Sequence, residues 1–148
     1  MHSQTPIYAS RGSRLGGQLI DAGIILIPIV IAAFLMAVSE TIGTIAFVAA
    51  LLFAIGYYFF ADAMRGGQSF GKRAVDAAVI HAETGQPCTA GQSFVRNLLL
   101  YILGPIDWIF IFGERHQRLG DKLAGTIVVE APGGRVTESF PSTWRTDA

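Results

Sequence analysis

The sequence predicts an all-α membrane protein: a transmembrane helical hairpin and a third, broken helical segment, with a small cytoplasmic β pair. Only 15 % of the 148 residues are charged and 51 % are hydrophobic, whereas about 25 % of a soluble domain is charged. The apolar residues are gathered into blocks at 19–38, 42–60 and 94–112. Gly104 and Pro105 interrupt the third block, which therefore differs from the first two.

The first apolar block, residues 19–38, is predicted to span the membrane. Twenty residues at about 1.5 Å each cover roughly 30 Å, the thickness of a bilayer core. The block has one charge, Asp21, and shows no polar stripe of the kind that a soluble surface helix carries. Pro28 is expected to kink it. The block is too long for a signal peptide and is expected to be retained, and residues 1–13 before it are expected to be flexible.

The second block, residues 42–60, carries no charge and is predicted to be the second span. Only residues 39–41 separate it from the first block, so the two spans should form a tight antiparallel hairpin. Small residues in this block favour close helix packing. The aromatic residues 57–60 fit the interfacial belt of a membrane helix.

Polar segments on either side of the third block predict a small β pair. Residues 77–83 and 124–130 are predicted short strands, and Thr89 and Gln92 form a capping box that opens a helix. The strands could pair if they lie on the same side of the membrane. We expect one domain over residues 14–130 and a flexible tail over 131–148.

The third block has two open readings, a kinked span or a re-entrant or interfacial helical pair. Each half is about ten residues, too short to span. The loop between the first two spans has no Lys or Arg, so the positive-inside rule places the N-terminus in the cytoplasm. A re-entrant or interfacial segment would keep the later basic residues there too. We favour this reading, with a cytoplasmic C-terminus.

Two carboxylates stand in or near predicted membrane segments and are candidates for an ion or proton path. These are Asp21 in the first block and Asp107 in the third. A charged side chain within a span costs up to ~3 kcal/mol on insertion scales, which favours a functional role. The structural alternatives are a paired or snorkelling Asp21 and an Asp107 that caps a half-helix.

The remaining chemistry-bearing residues predict surface contacts rather than catalysis. Basic residues at Arg65, Lys72, Arg73 and Arg96 are expected to meet lipid head groups or the cytoplasmic face. The sequence of residues 66–73 nearly matches a phosphate-binding loop. Arg73, however, stands where the motif needs Ser or Thr, so nucleotide binding is not expected. No catalytic constellation, metal-ligand spacing or cofactor motif is visible, and the zero net charge gives no indication of a nucleic-acid partner.

Four motifs in order resemble the RDD family. They are Arg14-Leu15 with Leu19-Ile20-Asp21, GQSFGKRAV at 67–75, Arg96-Asn97, and RLGDKLAGTIVV at 118–129. The resemblance implies that Arg14 is the family arginine, Asp21 the first aspartate and Asp121 the second, with Asp107 as the alternative. It also implies a multi-pass protein of the bacterial inner membrane whose function is poorly defined. Some members are described as sodium/proton antiporters. The Gly104-Pro105 break matches no family motif.

Two functions remain open at the level of sequence. The first is cation- or proton-coupled transport, which would need an oligomer because two spans and a broken segment cannot enclose a pathway. The second is a non-catalytic membrane adaptor or assembly partner, in which the charges hold helices together. The expected partners are the lipid bilayer and either further copies of the chain or another membrane protein.

Overall fold

The computed structural model describes residues 7–104, 106 and 117–134. Two long helices, α1 (Arg11–Val38) and α2 (Glu40–Phe60), form its main body. They are joined at Ser39, whose extended backbone ends one helix and begins the next. Gly43 permits the close approach of the two helices, because a Cβ there would lie 2.3 Å from the Met36 Cα. The two long apolar helices predicted from the sequence are therefore confirmed.

Both helices are long and apolar enough to cross a bilayer, and both leave their apolar side chains exposed. In the most apolar 18-residue stretch of α1, only 6 % of the residues are buried. In the corresponding stretch of Glu40–Ala63, which is α2 with its terminal turn, 22 % are buried. The core helix of a soluble protein would be mostly buried. Phe34, Val38 and Leu52 are each more than 65 % exposed. α1 begins at Arg11 rather than residue 19, and it continues through Pro28.

A two-stranded antiparallel sheet lies at the end of the hairpin where α1 begins. It consists of β1 (Ala77–His81) and β2 (Thr126–Glu130), with Ala77 opposite Glu130. The predicted pairing is confirmed, although both strands are shorter than expected. β2 starts only after Gly125, whose φ of 64° makes a turn that an extended strand cannot contain.

The residues before α1 also belong to this sheet unit, and α1 itself begins at Arg11, within the segment 1–13 that is expected to be flexible. The Glu130 amide donates to the Ile7 carbonyl at 2.9 Å, and the Ala9 amide donates to Val128 at 3.1 Å. An exposed strand edge offers unpaired backbone groups, and this segment satisfies them. On the C-terminal side, the Ala131 amide donates to Asp76 at 2.6 Å. Residues 1–6 and 135–148 lie outside the described residues.

Three shorter helices complete the described part of the chain: α3 (Phe70–Ala74), α4 (Ala90–Leu103) and α5 (Leu119–Leu123). Short 3-10 turns lie at Ala61–Ala63, Arg65–Gly67 and Pro132–Gly134. α4 opens with the predicted capping box, in which the Thr89 amide donates to the Gln92 side chain at 3.0 Å. It ends at Gly104, whose φ of 54° stops the helix. The predicted break begins there, but Pro105 and residues 107–116, with Asp107, lie outside the described residues.

Candidate functional site

A buried ion-pair cluster forms around Asp121 in α5. Arg14 Nη2 of α1 donates to Asp121 Oδ2, and Arg96 Nη2 of α4 lies 2.9 Å from Oδ1. The backbone amide of Arg118 donates to Oδ2 at 3.2 Å, and its Nε lies 3.9 Å from the same oxygen. Asp121 is fully buried, and Arg14 and Arg96 are 6 % and 1 % exposed. One carboxylate therefore ties together α1, α4 and α5.

The backbone around Gly120 explains how α5 comes so close to α4. A Cβ at this position would lie 2.6 Å from the Arg96 carbonyl oxygen, which is closer than real Cβ contacts allow. Glycine is thus needed beside Asp121, and the LGD sequence places the carboxylate directly after the point of contact. Asp121 also sits in the first turn of α5, where a negative charge is favourable.

A second buried carboxylate, Asp62, extends the cluster toward the hairpin. Lys72 Nζ donates to Asp62 Oδ1, and Arg96 Nη2 lies 3.6 Å from Asp62 Oδ2. Arg96 therefore lies between the two carboxylates and links Asp62 to Asp121. Sequence reasoning did not single out Asp62. A single Asp after an apolar helix does not indicate which residues it pairs with. Its partners, Lys72 and Arg96, lie 10 and 34 positions further along the chain.

The basic residues expected at the lipid surface take different positions. Lys72 and Arg96 are buried, at 8 % and 1 % exposed, so neither lies on the outer surface of the protein. The physical reason is that Asp62 and Asp121 compensate their charges inside the protein. Arg73 is exposed and lies 6.0 Å from the Phe70 ring, which fits the expected surface role. The side chain of Arg65 lies outside the described residues.

The charges in the cluster outside the long helices are held in their ionised forms. Burial alone would raise the pKa of Asp121, but the Arg96, Arg118 and Arg14 guanidinium groups outweigh it and hold that pKa well below its usual range. Burial would lower the pKa of Arg96, but Asp121 and Asp62 outweigh it and raise that pKa. The two groups therefore carry opposite charges near neutral pH, and their contact is an electrostatic link between α4 and α5.

Asp21 is the third carboxylate at this end of the hairpin, and its surroundings differ. The Tyr57 hydroxyl donates to Asp21 Oδ1 at 2.6 Å, and the Gly71 amide donates to the same oxygen at 2.8 Å. The Ser69 hydroxyl donates to Oδ2. Within the described residues these donors are all neutral, in contrast to the Lys and Arg partners of Asp62 and Asp121. The negative charge of Asp21 is therefore hydrogen-bonded but not neutralised by a neighbouring cation.

The segment that resembles a phosphate-binding loop has a structural task in this arrangement. A Cβ at Gly71 would lie 2.0 Å from the Gly17 carbonyl oxygen and 2.7 Å from Asp21 Cγ. Glycine thus allows α3 to dock on α1 and to present its amide to Asp21. Ser69 caps α3, since its side chain accepts from the Lys72 amide at 3.2 Å. The segment thus binds the Asp21 carboxylate of the same chain, whereas a true phosphate-binding loop would bind a phosphate.

A cavity of about 230 Å³ opens between α1, the end of α2, α3 and α4. Its charged and amide-bearing lining comes from five parts of the chain: Gln18, Asp21, Asp62, Lys72, Asn97 and Arg118. Asn97 is only 8 % exposed, and its side-chain amide has no hydrogen-bond partner within the described residues. No group of three or more His, Cys, Asp or Glu suited to a metal ion occurs in that part of the chain.

Two exposed apolar helices of spanning length, closed at one end by buried ion pairs, fit a small helical membrane protein. The chain belongs to the RDD family, whose model matches residues 8–125. The family predicted from the four motifs is thereby confirmed, and the matched range contains Arg14, Asp21 and Asp121. No curated protein and no solved structure matches the chain.

The three residues assigned by family resemblance thus fall into two sites. Arg14 and Asp121 meet directly, whereas Asp21 has its own set of neutral donors and lines the cavity. Tyr57 was interpreted as part of an aromatic belt, and its hydroxyl was overlooked. The presence of Asp21 in an apolar block was a usable signal, because a carboxylate at that depth needs donors from a neighbouring helix.

Proposed function

We propose that this is a multi-pass protein of the bacterial inner membrane that takes part in cation- or proton-coupled transport as an oligomer. One observation carries the proposal: Asp21 lines a cavity and is held by neutral donors. Asp62 and Asp121, by contrast, are paired with Lys and Arg side chains. A carboxylate without a fixed counter-ion retains its charge for a mobile cation or proton, which is the simplest means of coupling the two.

The placement of residues 7–13 and 117–134 supports a cytoplasmic location for both ends of the chain. The Arg14–Asp121 contact and the pairing of β1 with β2 bring residues 117–134 back to the end of the hairpin where α1 begins. Basic residues gather at this end, and the positive-inside rule assigns such an end to the cytoplasm. The return of the chain favours a re-entrant or interfacial third segment over a complete third span.

Oligomerisation is part of the proposal because two helices do not enclose a pathway. Large side chains along α1 and α2, such as Leu26, Ile27 and Leu52, are more than half exposed. In a bilayer such faces contact lipid or a second copy of the chain, and symmetric association is the usual arrangement of identical subunits. A pathway would then run between copies and past each Asp21.

Flux through the purified protein in proteoliposomes tests this function. We expect a trapped pH-sensitive dye to report proton movement when a sodium or potassium gradient is imposed. Asp21→Asn should abolish the movement because it removes the exchangeable charge. Asp76→Asn is the matched control, since Asp76 is exposed, lies outside the cavity lining and should keep wild-type flux. Wild-type protein that carries no flux under either gradient would contradict transport.

A membrane adaptor is the second function, and the closed ion-pair cluster favours it. Arg14, Lys72 and Arg96 are compensated by Asp62 and Asp121, so these charges hold segments of the chain together. An adaptor should retain a specific membrane partner after cross-linking, and Asp21→Asn should not release it. Ion flux by the protein purified alone would contradict this function.

A further inference from the structure

The cavity beside Asp21 has a lining that is charged in one part and apolar in another. Asp21 and Asp62 supply negative charges, and Lys72 and Arg118 supply positive charges. Ala22 and Ile25 of α1 and Leu100 of α4 complete it with apolar surface. A ligand that fits this lining therefore carries both signs of charge and continues into an apolar part.

Asn97 provides an independent indication that the cavity takes a polar ligand. Its side chain is about nine-tenths buried and lines the cavity, yet it makes no hydrogen bond within the described residues. Its amide atoms are not enclosed by protein but face the open space of the cavity, where they can donate to and accept from what fills it. A ligand with a hydrogen-bonding group at this position would satisfy it.

The place of the cavity along α1 matches the boundary between head groups and acyl chains. Its lining runs from Gln18 to Ile25, about 10 Å along the helix axis, and Gln18 immediately precedes the apolar block at residue 19. The volume of about 230 Å³ is below the ~300–1,000 Å³ of pockets that enclose a whole drug-sized ligand. The cavity is therefore of a size for a head group rather than for an entire lipid.

We propose that this cavity binds the head group of a zwitterionic phospholipid that carries a primary ammonium. The ammonium pairs with Asp21, and the phosphate lies toward Lys72 and Arg118. Asn97 donates to or accepts from the head group, and the acyl chains leave along Ile25 and Leu100. The occupant is thus an aminophospholipid of the surrounding membrane.

The hydrogen-bonding capacity of Asp21 explains the choice of a primary ammonium. A carboxylate has about four acceptor sites, and Tyr57, Ser69 and Gly71 use three of them. The remaining site can accept one ammonium N–H, whereas a trimethylated ammonium has no N–H to donate. An anionic head group without an amine would bring its phosphate charge beside Asp21 and Asp62 with no ammonium to pair with Asp21.

This inference goes beyond transport and does not require it, although both involve Asp21. It is tested by native mass spectrometry of delipidated protein in detergent, titrated with phosphatidylethanolamine, phosphatidylcholine and phosphatidylglycerol. We expect phosphatidylethanolamine to bind at least about tenfold more tightly than the other two, a difference of the size that one good polar contact produces. Equal binding of the three lipids would overturn the proposal.

Substitutions in the cavity lining test whether the preference for phosphatidylethanolamine arises there. Asp21→Asn should remove it, and Asp76→Asn, the same change at an exposed site, should keep it. Ala22→Phe is a second variant that fills the cavity but changes no charge, so it decides the matter if Asp21→Asn does not fold. A preference that survives Ala22→Phe would overturn the proposal.

The source of the head group is tested in the same titration with soluble phosphoethanolamine. Because the acyl chains contact apolar lining in the proposal, the soluble compound should compete with the lipid only at far higher concentration. Competition at equal concentration would show that the ligand is a soluble solute and not a lipid. A protein that binds phosphatidylethanolamine selectively but carries no flux would contradict the transport function alone.

Discussion

Arg14 Nη2 donates to the carboxylate of Asp121 across 107 positions of sequence, and both side chains are buried. The pair joins the first turn of α1 to the short helix α5. It thereby holds the sheet unit against the polar end of the hairpin. Because burial removes both groups from water, the energetic consequence of losing either partner is larger than at a surface.

Arg14→Gln should destabilise the protein substantially. Removal of one partner of a buried ion pair costs about 3–5 kcal/mol, and we expect the lower end because Arg96 and Arg118 still face Asp121. Denaturant unfolding in detergent, followed by circular dichroism, measures the change. Arg73→Gln at an exposed position is the control and should leave stability nearly unchanged. Equal effects of the two substitutions would contradict a structural role for the pair.

The stability of the wild-type protein should fall in acid because of Asp121. Its pKa is depressed in the folded state by the surrounding arginines, despite burial. Its contribution is therefore fully present above the unfolded-state pKa of about 4, and it is lost as the pH falls below that value toward the folded pKa. Unfolding measured between neutral pH and pH 3 should show this loss, and Asp121→Asn should be less stable but less dependent on acid. An unchanged acid slope in the variant would refute the assignment.

Gly71→Ala should separate α3 from α1. The added methyl group would meet the Gly17 carbonyl oxygen at 2.0 Å and Asp21 Cγ at 2.7 Å, and overpacking of this kind costs about 1–3 kcal/mol. Thermal unfolding in detergent measures it. Gly91→Ala in α4 is the matched control, since a Cβ there meets nothing within 4 Å and alanine favours a helix. A destabilisation no greater than that of the control would show that α3 docks differently.

Cys88 should react slowly with alkylating reagents in the folded protein. Burial raises the pKa of its thiol to about 11, so the thiolate is scarce at pH 8, and the residue is only 4 % exposed. Its alkylation rate, followed by mass spectrometry, should be lower than that of an exposed cysteine by roughly two orders of magnitude. A Cys88→Ser, Thr84→Cys double variant supplies that comparison, because Thr84 lies in an exposed turn. Similar rates at the two positions would mean that the thiol is accessible.

Local sequence patterns predicted the elements that depend on local interactions. The apolar runs indicated the end of α1 and the extent of α2, although α1 begins before its apolar run, and Thr89 with Gln92 indicated the start of α4. Gly104 gave its end. Capping, turn formation and hydrophobic length are determined within a few residues, so one sequence suffices to recognise them. The assignment of Arg14, Asp21 and Asp121 came from motif resemblance rather than from geometry.

The partners of the charged residues were decided only by the tertiary structure. Sequence reasoning placed Lys72 and Arg96 at the lipid surface, and it gave no role to Asp62 because its partners lie in other segments. The fold brings these segments together at one end of the hairpin, where each buried charge must find an opposite one or remain costly. The sequence by itself thus determined that the chain has two apolar helices and a set of ionisable residues. Only the packing of α3, α4 and α5 on the hairpin decided which charges neutralise one another and left Asp21 with neutral donors beside a cavity.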